Sequence, residues 1–190
     1  MITIDGPAGA GKSTVARALA DRLGYRYVDT GSMYRELTAA AMQHGIDPDD
    51  GDALAGLVGQ APSAPVDLRS EEVSARVSAV SRHPQVRERM RARQRALAHD
   101  AVLEGRDTGT RVCPGADVKV YLVASLESRA ARRAVDLGLD PAEVAETIAA
   151  RDRHDSEQLA PAADAHVIDT SGLSVPDVVE QVLRLVEAAA

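Results

Sequence analysis

The chain has 190 residues, 45% of them hydrophobic and 27% charged, enough for one domain of ordinary size whose core needs no disulfide or metal staple. A balance of 22 basic to 29 acidic residues gives a net charge of -7, and four tyrosines are the only aromatic residues; together these argue against general nucleic-acid binding, since polyanions are repelled and no stacking platform exists. No apolar run approaches the ~20 residues of a membrane-spanning helix, the opening MITIDGPAGAGKST is unlike a secretory leader, and the single Cys113 cannot form an intramolecular disulfide, so a cytoplasmic protein is expected.

Short runs rich in Val and Ile alternate with longer stretches at helical spacing, the pattern of parallel strands joined by crossover helices. In chain order the strands are expected at Ile2–Ile4, Tyr25–Val28, Ala101–Leu103, Val118–Val123 and His166–Ile168. The helices are expected at Lys12–Leu23, Met33–His44, Glu72–Ser81, Gln85–Ala98, Leu126–Leu137, Pro141–Arg151 and Val175–Ala188. Two helix starts are marked by an N-cap, an early proline and an acid in the first turn, at Asp140-Pro141 and at Ser174-Val175-Pro176-Asp177. The segment Asp47–Ser70, rich in Gly, Pro and Asp and without a sustained apolar period, reads as a peripheral insertion. Arg151–Pro161 reads as an exposed, mobile connection of the kind that closes over ligands.

Gly6-Pro7-Ala8-Gly9-Ala10-Gly11-Lys12-Ser13, with Thr14 following, satisfies G-x-x-x-x-G-K-[ST] and stands where that motif works, after a strand and at the start of a helix. Its glycines let successive N–H groups turn inward, the helix N-terminus adds positive potential, and Lys12 supplies a point charge to the outer phosphates. Ser13 is the expected Mg2+ ligand. The loop implies binding of a nucleoside triphosphate, and it leaves a kinase, an ATPase and a GTPase open. No N-K-x-D or D-x-x-G accompanies it, whereas arginines gather near the expected carboxyl ends of strands, where their rigid forks suit phosphate oxygens. Glu104, at a strand end, is a candidate for holding a Mg2+ water, because no hydrophobic strand ends in the usual metal-ordering aspartate. Cys113 is read as structural, and the five histidines show no metal-ligand spacing.

DGPAGAGKST, DTGSMYR, EGRDTGT and RDRHDS occur in the order and at about the spacing of the bacterial cytidylate kinases, and the run from Val73 to Arg87 adds a further match. The chain resembles that family along nearly its whole length. The resemblance implies a three-layer P-loop kinase fold: a central five-stranded parallel sheet with helices on both faces, in one domain over residues 1–190. A nucleotide-acceptor region of about 30–98 and a lid of about 129–160 would be built into it. It also implies transfer of the ATP terminal phosphoryl group to CMP and dCMP with Mg2+, by a monomer with no nucleic-acid or membrane partner.

Position by position, the resemblance gives Thr30 and Arg35 to the acceptor phosphate. Arg106 also falls to that phosphate, Asp107 reaches toward the cytosine, and Ser78 and Arg87 read the cytosine edge. Arg129, Arg132 and Arg133 match lid arginines that close over ATP phosphates, with the inward-pointing one left undecided; Arg151 and Asp155 match residues that bind the acceptor's phosphate and ribose. Arg35 is expected to have no structural role of its own. Gln158 departs from the family, which often has an arginine there. The other arginines of the basic run Arg82–Arg95 are expected to form a solvated helix face. Two anion cradles result, one of main-chain amides around Lys12 and one of guanidinium groups around Arg35 and Arg106, between which a phosphoryl group passes.

Overall fold

In the computed structural model, which describes residues 1–154 and 160–189, the Val- and Ile-rich runs form β1 (Ile2–Asp5), β2 (Arg26–Asp29), β3 (Ala101–Gly105), β4 (Val118–Val123) and β5 (His166–Asp169). They lie in one sheet in the order β2-β3-β1-β4-β5. Parallel pairing sets Ile2 beside Val102 and Val118, and Asp5 beside Gly105 and Tyr121. β1 is central, and all four of its residues are buried, as a strand covered on both faces requires. Helices cover both faces of the sheet, the three-layer arrangement of P-loop kinases.

Side chains alternate across a strand, and the two faces of this sheet differ in chemistry. Ile2 and Ile4 join Val102, Val120 and Leu122 in an apolar core with Val15 and Leu19 of α1 (Lys12–Leu23) and Val178 and Val182 of α8 (Val175–Ala189). The intervening residues, Thr3 and Asp5 on β1 and Lys119 and Tyr121 on β4, are polar and buried. Lys119 offsets the cost of its burial by donating two hydrogen bonds, of 2.7 and 2.9 Å, to the Asp164 carboxylate. Near the carboxyl edge, α6 (Leu126–Leu137) and α7 (Pro141–His154) pack on one another through Ala130, Ala134, Val144 and Ile148.

The chain divides into two compact units, Met1–Val28 with Ala98–Ala190, and Asp29–Leu97. The second is helical: α2 (Thr30–Gln43), α3 (Gly51–Leu57), α4 (Glu71–Ser81) and α5 (Pro84–Ala96). Leu37, Leu54, Val73, Val80, Val86 and Met90 are its large buried side chains.

Most element boundaries agree with the sequence reading to within three residues, and the departures have local causes. α2 begins at Thr30 because Asp29 Oδ1 accepts the Ser32 N–H at 2.7 Å, capping the helix one turn ahead of its apolar period. Within the insertion 47–70, for which no helix was expected, the structure has α3. Asp50 caps it through the Ala53 N–H at 3.0 Å, and Leu54, Ala55 and Leu57 are buried. Its seven residues are too few to display a period. The basic run is largely solvated as expected, Arg82, Arg89, Arg93 and Arg95 being exposed, although Arg82 also pairs with Asp49, Arg89 donates to the Ala55 carbonyl at 3.0 Å, and the half-buried Arg91 folds back on the Arg87 carbonyl at 3.2 Å. Arg82 and Arg89 tie α3 and its flank to the helices that follow within the unit. After β3 comes a single π-helical turn, Thr108–Val112, for which the sequence offers no periodic signal.

Candidate active site

The Gly6–Ser13 loop leaves β1 with Gly6 at φ 145°, where an added Cβ would stand 2.1 Å from the Leu122 carbonyl oxygen; only glycine fits. Gly11 begins α1 without any side-chain cap, so the helix N-terminus is left as an anion site. Lys12 is buried and donates to the Pro7 carbonyl at 2.8 Å. Two arginines from distant segments reach the same loop: Arg106 Nη1 donates to the Gly6 carbonyl at 2.9 Å, and Arg129 Nη1 to the Ala8 carbonyl at 3.0 Å. Arg132 donates to Thr170 Oγ1 at 3.0 Å, and Thr170 Oγ1 in turn lies 3.1 Å from the Ala10 carbonyl oxygen.

Burial separates Arg129, Arg132 and Arg133, which the sequence left equivalent. Arg129 is 7% exposed, its charge met by Asp152 at 2.7 Å and its Nε held by the Ala124 carbonyl. Arg132 is half-buried, whereas Arg133 stands exposed on the same helix. Four cations therefore surround the loop within one unit, and their N–H groups rest on carbonyl oxygens that a phosphate oxygen would outcompete, being charged.

Glu104 ends up beside Ser13 because β3 runs parallel to β1 with Glu104 next to Ile4, on the face that α1 covers. Ser13 Oγ donates to Glu104 Oε2 at 3.0 Å, and Tyr27 Oη to Oε1 at 2.5 Å. At 4% exposure Glu104 is not a solvated surface acid. An all-oxygen pair of hydroxyl and carboxylate suits a hard divalent cation, so these residues fit Mg2+. Tyr27, over whose ring the Arg17 guanidinium sits at 4.9 Å, is the residue sequence reasoning missed. Its partner lies 77 positions away, and only the observation that β2 ends near other strand ends could have suggested it.

The premise that no strand ends in an aspartate is also corrected. β1 runs through Asp5, but its carboxylate faces away from Ser13: Oδ1 accepts from Thr108 N and Oγ1 at 2.9 and 2.7 Å, and Oδ2 from Gly109 N at 2.8 Å. Burial raises the Asp5 carboxyl above its ordinary range, those hydrogen bonds pull it back, and the nearby Asp107 charge raises it further. Asp107 keeps its carboxylate mostly covered, 4.0 Å from Arg111 Nε. Cys113, buried after the π turn, keeps its structural reading.

In the second unit Thr30 is buried, and Arg35 forms an ion pair of 3.2 Å with Asp29, the residue that caps its own helix. The expectation that Arg35 lacks a structural partner is therefore wrong; Asp29 holds it one turn into α2. Ser78 is exposed on α4, and Arg87 is half-buried on α5. The side chain of Arg151 and the whole of Asp155 and Gln158 lie outside the described residues.

The sheet order, the glycine loop and the converging cations define a P-loop kinase. Solved structures with this fold include a shikimate kinase from Bacteroides thetaiotaomicron, at TM-score 0.55 and 13% identity over 98% of this chain and 97% of that one. A gluconokinase from Sinorhizobium meliloti matches at TM-score 0.52 and 18% identity, over 99% and 92%. The family model for cytidylate kinase matches residues 2–188. Proteins named cytidylate kinase from Shouchella clausii and Geobacillus kaustophilus are 44% and 46% identical, over 98% and 97% of this chain and 95% of each relative. A third, from Streptomyces coelicolor, is 43% identical over 98% of this chain and 92% of its own length. The chain belongs to the cytidylate kinase family.

Proposed function

We propose that this chain transfers the terminal phosphoryl group of ATP to CMP and dCMP, giving ADP with CDP or dCDP. The observation that carries the donor half is the convergence of Lys12 and Arg129 on the carbonyls of Pro7 and Ala8. These groups neutralise the transferring phosphoryl group, and arginine contributions of this kind reach about 10³ to 10⁵ in rate. Arg132, held by Thr170, extends the same cluster, and the helix pair carrying these arginines acts as the lid, about 129–160.

Ser13, with Glu104 ordering a metal-bound water, would hold Mg2+, which when bound would supply positive charge to the phosphates. The acceptor is already an oxyanion, so no strong general base is required. Thr30 and Arg35 hold its phosphate in the second unit, the acceptor region of about 30–98, where Ser78 and Arg87 read the base. Arg106 and Asp107 add further acceptor contacts, as do Arg151 and Asp155. The protein works as a cytoplasmic monomer on small nucleotides; among the described residues no helix is long and apolar enough to cross a membrane.

A panel of nucleoside monophosphates with ATP and Mg2+, read by product identity, tests this assignment. CDP and dCDP are the expected products; preferential phosphorylation of AMP, GMP or a small acid would overturn it.

A further inference from the structure

The Asp5 carboxylate stands outside the phosphate chemistry, yet it accepts three hydrogen bonds from the two residues that follow Arg106 and Asp107. Its own backbone is fixed independently, between Gly105 on β3 and Tyr121 on β4. The arginine preceding this turn is tied to the next residue along β1, through the 2.9 Å bond from Arg106 to the Gly6 carbonyl. The Arg106-Asp107 pair is thus clamped on both sides by two consecutive residues of one central strand.

The turn needs such a clamp. Thr108–Val112 is π-helical, and the Arg111 and Val112 N–H groups both point to the Asp107 carbonyl, at 2.8 and 3.3 Å, so any tilt of the turn moves Asp107 with it. Gly109 completes the fit: a Cβ there would meet Thr3 Oγ1 at 2.9 Å and Asp5 Oδ2 at 3.4 Å, so a side chain would push the turn off the carboxylate.

We infer that Asp5 is a positioning residue for the acceptor nucleotide, acting through Thr108 and Gly109 to set where Arg106 and Asp107 present their side chains. The inference rests on the reading of Arg106 and Asp107 as acceptor contacts. Because the Asp5 backbone is held by both neighbouring strands, losing its carboxylate frees the turn after Asp107 and leaves the Gly6–Ser13 loop in place. The effect therefore falls on CMP and spares ATP.

Asp5→Asn sets an amide N–H against the Gly109 N–H, and Thr108→Val removes one hydroxyl at nearly constant volume. Thr108→Val keeps the test open should Asp5→Asn fail to fold, which circular dichroism reveals. In folded variants the KM for CMP is expected to rise about 10- to 100-fold, with the ATP affinity, read by fluorescent nucleotide binding, within about threefold of the parent. Thr108→Ser should restore CMP binding. Unchanged CMP parameters, or equal losses toward CMP and ATP, would overturn the role. Arg106→Ala, run in parallel, separates the two readings: if it leaves the CMP parameters unchanged, the acceptor assignment fails. If it impairs them while the Asp5 and Thr108 variants do not, only the positioning role fails.

Discussion

Ser13 donates a 3.0 Å hydrogen bond to Oε2 of Glu104, a residue 91 positions away that reaches it because β3 is paired in parallel with β1. The other carboxylate oxygen is held by Tyr27, so Glu104 is fixed at both ends while almost wholly buried. Replacing it by glutamine removes the charge that, in the proposed function, orders a divalent cation, and sets an amide group against a hydroxyl donor. Glu104→Gln should lower kcat by about 10- to 100-fold. Its Mg2+ titration should shift to higher concentration, measured by a coupled ADP assay and by nucleotide binding with and without Mg2+.

Tyr27→Phe keeps the ring under Arg17 and deletes only the hydroxyl. Removing this hydrogen bond to a buried carboxylate should destabilise the fold by about 1 to 2 kcal/mol. The half-saturating Mg2+ should rise several-fold, while the KM for CMP stays near the parent value. Urea unfolding and a Mg2+ titration check the two halves separately.

The lid arginines should respond in the order of their burial. Arg129→Ala strands Asp152, whose Oδ1 is buried with no hydrogen-bond partner among the described residues, and should cost about 3 kcal/mol in stability as well as ATP affinity. Arg132→Ala should weaken ATP with a smaller stability loss. Arg133→Ala, on an exposed position, should leave both within about twofold. Thermal unfolding and ATP titrations on the three variants provide the comparison.

Arg35 differs from its basic neighbours because its guanidinium pairs with the residue that caps α2. Arg35→Ala should reduce kcat/KM for CMP by about 10³-fold, in line with other arginines on a transferring phosphoryl group. Arg35→Lys should recover little of it, since an ammonium lacks the planar fork. Arg91→Ala, whose Nε reaches only a carbonyl of its own helix, should remain near the parent.

Asp5 predicts a pH dependence of stability. Its carboxyl is raised in the folded protein, chiefly by burial, so the folded state binds the proton more tightly than the unfolded chain. That contribution is complete below the ordinary value of 3.8 and is lost as pH rises through the folded value. Urea-unfolding free energies should therefore show the advantage of the parent over Asp5→Asn shrinking from about pH 4 toward neutrality; an advantage that grows over that range would contradict the assignment.

The strands and long helices were legible because burial on both sheet faces demands continuous Val/Ile runs, and α1 and β4 have the limits their periodicity gives. The phosphate loop was legible because its chemistry is local: a short glycine-rich run of main-chain N–H groups between a strand and a helix. What escaped depends on distant partners or short elements. Tyr27 is an ordinary strand tyrosine until β3 sets Glu104 beside it. Asp5 lies just past the expected end of β1, and its role shows only once the π turn claims its oxygens. The ties of Arg82 and Arg89 exist only because α3 forms, and that helix is one cap and two turns long.

The most direct measurement is ADP formation from ATP and Mg2+ in the presence and absence of CMP. Phosphoryl transfer between nucleotides, with water excluded, requires turnover with CMP to exceed turnover without it by at least about a hundredfold, with CDP formed in equal amount to ADP. Equal rates of ADP formation with and without CMP, or ADP appearing without CDP, would contradict the account and leave an ATP hydrolase in its place.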